Sequence, residues 1–154
     1  MATEIGETSK AQPAAVFDLL GGEEHLLFVS KDTSNRLLYV TSTDGGLSWV
    51  LGPNTGQKTP AAPAIALVQQ PLPELGAVPN LLVAVFRAND PSNRILYSVL
   101  DLNVSPALRA WRFRGQVGGE SARAVYAVGG TTDVTVFFLA NDTTGRLLSV
   151  RFTP

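Results

Sequence analysis

Apolar residues along this chain alternate with polar ones or gather in short β-branched and aromatic runs. Clusters of Gly, Pro, Asn and Asp interrupt them about every ten residues. Runs such as "HLLFV" from His25, "LLVAVF" from Leu81 and "VTVFF" from Val134 have the length of strands. No apolar face recurs with the 3.6-residue period of an amphipathic helix. The pattern predicts an all-β chain.

The pattern also repeats. "KDTSNRLLYV" from Lys31, "NDPSNRILYSV" from Asn89 and "NDTTGRLLSV" from Asn141 align, so that Asp32, Asp90 and Asp142 match. Arg36, Arg94 and Arg146 follow four places later, and the period is a little over fifty residues. A first apolar strand opens each copy: "PAAVFDLL" from Pro13, "PAIALVQQ" from Pro63 and "ARAVYAVGG" from Ala122. In the first two copies a fourth segment begins near a tryptophan, "SWVLG" with Trp49 and "AWRFRG" with Trp111. Four strands, A to D, make one unit. Repeated four-stranded antiparallel units whose inner strand opens on small residues predict a β-propeller. A β-trefoil is the rival, since it also has three repeats in about this length.

The segment "STDGGLSW" resembles the Asp box of the sialidase-type propellers, matching at Ser42, Asp44, Gly46, Ser48 and Trp49. In that family the box forms the turn between strands C and D, and the repeat places it there independently. The resemblance implies the fold rather than sialidase activity. The box itself reads as structural: Asp44 accepts backbone and Ser/Thr hydrogen bonds, the glycines allow positive φ, and Trp49 packs between blades. The expected layout is one domain over 1–154: an N-terminal strand and loop at 1–12, blade 1 at 13–60, blade 2 at 61–120, and blade 3 at 121–154 without its outer strand. Known propellers have roughly four to eight blades. Three four-stranded blades per chain therefore predict a homodimer that closes a six-bladed ring, each N-terminal strand from Ala2 to Gly6 completing the neighbour's last blade.

Composition removes several functions. With 12 Lys plus Arg against 13 Asp plus Glu, the chain has no electrostatic draw toward nucleic acid or an anionic membrane. Cysteine is absent and His25 is the single histidine, which leaves no spacing for a metal centre, and no cofactor is expected. No apolar run approaches the roughly 18 residues that span a bilayer, and the N-terminus lacks a basic start and apolar core. A soluble protein without a visible signal peptide is expected, cytoplasmic or released by a non-classical route.

Candidate chemistry lies in the repeated B–C turn. On propellers the B–C and D–A loops share one face, the usual ligand side. Carboxylate and guanidinium groups bond sugar hydroxyls in pairs, and aromatic rings stack on sugar C–H surfaces. Asp32, Asn35, Arg36 and Tyr39, with Asp90, Asn93, Arg94 and Tyr97, Asp142 and Arg146, and Trp111, are the candidate ligand-binding residues. The same Asp and Arg could instead make Asx turns and exposed hairpin ion pairs. Glu23 and Glu24 beside His25 read as a solvated A–B hairpin tip on the opposite face.

The expected function is a non-enzymatic lectin that binds glycans or glycoconjugates, similar to the small oligomeric propeller lectins. The alternatives are a protein-interaction propeller scaffold and a glycosidase-like enzyme whose site spans the chain interface. A sialidase would need an arginine cluster, a Tyr–Glu pair and an Asp acid/base. No copy presents that set, and Arg87 in "VFRAND" resembles the family's arginine-bearing motif only loosely.

Overall fold

The computed structural model describes residues 8–70 and 79–154. The strand expected from Ala2 to Gly6 lies outside the described residues. Among the described residues ten strands run in order: β1 (Ala14–Asp18), β2 (Glu23–Val29), β3 (Leu37–Ser42), β4 (Val50–Leu51), β5 (Ala64–Gln69), β6 (Asn80–Arg87), β7 (Arg94–Asp101), β8 (Arg112–Gly129), β9 (Val134–Ala140) and β10 (Leu147–Phe152). One short 3-10 turn, Pro106–Leu108, lies between β7 and β8. The chain is all-β, as its hydrophobic pattern predicts.

β1 to β4 form a four-stranded sheet, and β5 to β10 form a six-stranded one, both ordered by sequence. All pairings are antiparallel. β8 explains why two repeats share one sheet. Its first part pairs with β7, as a D strand would, and its second part from Ala122 pairs with β9, as the next A strand would. Gly115 and Gly118, both at positive φ, lie in this part of β8, where the register with β7 shifts. The sequence predicts a break there, and the backbone instead continues through it. Unit 1 below is β1–β4; unit 2 is β5–β7 with the start of β8; unit 3 is the rest of β8 with β9 and β10.

Strands with two apolar faces bury both by stacking units. Between units 1 and 2 lie Leu27, Leu37 and Tyr39 against Ile65, Leu82, Ala84, Phe86, Leu100 and Trp111. Between units 2 and 3 lie Val83, Val85, Ile95 and Val99 against Val125, Val134, Val136 and Phe138. Each fully buried aliphatic or Phe side chain contributes about 1.5–3 kcal/mol. The innermost strands come closest: a Cβ on Gly129 would lie 1.7 Å from the Leu67 carbonyl oxygen. Gly130 carbonyl accepts from Gln69 N–H at 3.2 Å across the same approach. Only glycine fits at 129 without moving one strand off the other.

Two sequence expectations change here. His25, Glu23 and Glu24 are in β2 rather than at a solvated tip, and His25 is completely buried. Trp49 packs on Leu26, Phe28, Val40 and Leu38, the face of unit 1 turned away from unit 2. It is thus half-buried on unit 1 and is not wedged between two described units.

Candidate functional site at the convergence of the inner strands

The three B–C turns have one local design. In the first, Asp32 Oδ1 accepts from Ser34 N–H at 3.0 Å and from Ser30 Oγ at 2.7 Å, with Ser34 Oγ also bonded to it. Arg36 Nη2 donates to Asp32 Oδ2 at 3.0 Å, and its Nε donates to Ser34 Oγ at 3.1 Å. Asp90, Ser92 and Arg94 repeat this arrangement, with Arg94 Nη2 at 3.4 Å from Asp90 Oδ2. Asp142, Thr144 and Arg146 repeat it again, at 2.8 Å. Asn35, Asn93 and Gly145 occupy the matching left-handed position, at φ 58°, 52° and 64°. Asn tolerates that conformation better than other residues with a Cβ, which accounts for its place in the turn.

These bonds decide the charge state. Hydroxyl donors, Ser34 and then Ser30, hold the Asp32 carboxyl far below its ordinary value, and Thr144 and Arg146 bring Asp142 down to about 2. Asp90 is lowered mainly by Ser92. All three aspartates are ionised at neutral pH. Asp32, Asp90 and the three arginines are exposed and Asp142 is half-buried, yet each charge is already turned toward its own loop. Asn35 Nδ2 donates to Asn89 Oδ1 at 2.7 Å, linking the first turn to the second.

The aromatic candidates lie elsewhere. Tyr39 and Trp111 are buried between units 1 and 2, with ring centroids 5.4 Å apart and edge to face. Tyr97 packs on Phe152 at 4.6 Å between units 2 and 3. Neither tyrosine joins the Asp/Arg turns in a common surface. Tyr39 belongs to a polar seam: its hydroxyl is 2.7 Å from His25 Nδ1. Glu23 Oε2 lies 3.8 Å from His25 Nε2 and accepts from Arg109 Nη1 at 2.6 Å. Burial pushes the His25 pKa down, against the pull of Glu23 and Asp18, so the ring is neutral. Burial likewise pushes the Tyr39 phenol up to about 12.

The turn "STDGGLSW" joins β3 to β4. Ser48 N–H and Oγ donate to Asp44 at 2.9 and 2.6 Å, and Ser42 Oγ donates to it at 2.9 Å. Those bonds, Ser48 foremost, lower Asp44 to about 2. Its polar groups serve the turn itself.

A different place, on the same face as the B–C turns, has the form of a site. The starts of β1, β5 and the second part of β8 converge and enclose an opening of about 330 Å³, of the size that takes small ligands. Its walls are the segments Gln12–Ala15, Ala61–Ile65 and Arg123–Ala127. Alanines and prolines keep the walls thin, so side chains do not fill the space. Arg123 and Tyr126 are exposed there, and Arg87 Nη1 donates to the Arg123 carbonyl at 3.2 Å, fixing that wall to β6. The sequence signal for this site was the small residues and prolines that open each A strand. They read as a signature of the fold and not of a site, because the opening exists only once three units converge.

No family model matches the chain, and no curated protein matches it. Among solved structures it is similar to the catalytic domain of a Coprinopsis cinerea GH62 alpha-L-arabinofuranosidase. That likeness has 19% sequence identity and a TM-score of 0.53, and covers 96% of this chain. The chain spans about half the length of that structure, 47%. The neighbour is a five-bladed β-propeller, so the likeness shows a β-propeller-like fold for this chain. It also corrects the expectation of a non-enzymatic protein, because the fold shared is that of a hydrolase catalytic domain. The comparison offers nothing for a lectin. Among the described residues, no helix is long and apolar enough to cross a membrane.

Proposed function

We propose that this protein is a glycosidase-like carbohydrate-active propeller that takes a sugar chain in the opening where β1, β5 and β8 converge. The observation that carries this reading is the coincidence of that opening with a fold like that of a glycoside hydrolase catalytic domain. The chemistry of the walls supports it. Arg123 and Gln12 offer donors to sugar hydroxyls. Asp32, Arg36, Asp90, Arg94, Asp142 and Arg146 stand on the same face. In this reading they are outer contacts for a glycan that leaves the opening.

Hydrolysis needs two carboxyl groups across the scissile bond, one of them protonated. The three rim aspartates are held ionised, and none of the described residues lining the opening is acidic. What these residues account for is therefore sugar binding, and a catalytic pair is looked for where a second chain meets the first. A panel of polysaccharides and aryl glycosides tests the reading by calorimetry and sugar release. Binding that Arg123→Ala weakens at least tenfold is expected. A folded protein that neither binds nor cleaves any member overturns it.

A further inference from the structure

We propose that the outward face of unit 3 docks on the back of unit 1 in a second copy of this chain. The repeat makes the case. Tyr126, Val128, Phe137, Leu139 and Leu147 are exposed by 61, 59, 39, 37 and 68%. They form one sheet face, with Tyr126 opposite Phe137 and Leu147 opposite Leu139. Counted from the repeated aspartates, Phe137 occupies the place of Leu27 and Val85, and Leu147 that of Leu37 and Ile95. All four of those residues are 0 or 1% exposed, because each is covered by the next unit. Unit 3 presents the same rows of apolar side chains with no described unit upon them. An exposed apolar face of this extent on a soluble chain marks an interaction surface.

The positions themselves identify the occupant. They are where this chain packs unit on unit twice over, so the complementary surface is the back of another such unit. Units 2 and 3 have their backs buried already. The back of unit 1 has an apolar groove of about 360 Å³ lined by Ala15, Val16, Phe17, Glu24, Leu26 and Trp49. Phe17 is half exposed in it. Phe137 is larger than the Leu27 and Val85 it replaces, which suits a partner surface with a groove rather than a filled seam. Two copies related by a twofold axis satisfy both faces of both chains, joining front to back twice and leaving neither open. Tyr126 also lines the opening, so the second copy would stand at its mouth.

Sedimentation of the full chain tests this. The expected mass is twice 16.3 kDa. Phe137→Asp and Phe17→Asp, made separately, should each give a folded monomer with an unchanged far-UV spectrum. Mixing the two variants should restore a dimer through the one intact pair of faces. Leu147→Lys, at a more exposed position, replaces Phe137→Asp if that variant misfolds. A wild-type chain that remains monomeric at high concentration overturns the proposal. So does a dimer that survives Phe17→Asp, since that contact would be front to front. The proposal rests on packing and not on the sugar reading. A dimer that binds no sugar leaves it standing, and a monomer that binds sugar overturns it alone.

Discussion

The two seams of this molecule use the same repeat positions, and both are largely apolar, but one of them also encloses a polar cluster. Between units 2 and 3, Val83, Val85, Ile95, Val136 and Phe138 close an apolar contact. Between units 1 and 2, the place of Val83 is taken by His25, counted from Asp90 and Asp32, and a polar cluster of Tyr39, Glu23 and Arg109 gathers around it. One strand pattern therefore tolerates either solution. The seam between units 1 and 2 adds to its apolar contacts a set of groups whose contribution changes with protonation.

The largest effect should come from the apolar seam. Phe138→Ala removes a buried ring from between two units and should cost about 3–5 kcal/mol in denaturant unfolding. A loss under about 1 kcal/mol would mean that unit 3 packs loosely. In the polar seam, Tyr39→Phe keeps the ring on Trp111 but leaves His25 Nδ1 buried without its partner. The expected cost is about 1–3 kcal/mol. A neutral outcome would show that the pair adds nothing to the seam.

The pH profile sharpens the contrast. His25 has a folded pKa below its ordinary 6.5, so its contribution is complete above pH 6.5 and is lost as the pH falls below that value. Tyr39 is raised from 10.0 to about 12, so its contribution is complete below pH 10 and is lost as the pH rises toward 12. Glu23, Asp18 and Arg109 are the charged groups around His25. Stability measured against pH should thus have its shoulder near 6.5, and His25→Val, which copies the apolar seam at this position, should remove it. A shoulder that persists in His25→Val would place the titration elsewhere. Asp32, Asp44 and Asp142, all with lowered pKa values, act only as the pH falls below 3.8.

The smallest effect belongs to the rim. Arg94→Ala breaks an exposed ion pair inside its own turn and should cost about 0.2–1 kcal/mol, less at high salt. A salt-independent loss of several kcal/mol would show that this turn braces a seam.

The all-β class and most strands were legible because alternation and turn residues are local properties of the chain, but the joining of two expected strands into β8 was not. The turn around Asp32 and Arg36 was legible as a motif. Whether its charges face a ligand or each other depends on side-chain geometry that no spacing contains, and the structure has them bonded within the loop. His25 misled for a related reason: beside Glu23 and Glu24 it reads as polar surface, and only the stacking of unit 2 on unit 1 buries it. Tyr39 and Trp111 were visible as aromatics, but which face of a strand meets another unit is decided between units. The opening was the least legible, being built largely of alanines and prolines that carry no chemistry of their own.

The most direct test of the sugar reading is amide chemical-shift mapping while oligosaccharides from the panel are titrated in. The account predicts that shifts concentrate in Gln12–Ala15, Ala61–Ile65 and Arg123–Ala127 and decay outward through the rim turns. Shifts centred on the rim turns with the opening silent, or none with any sugar, would contradict it.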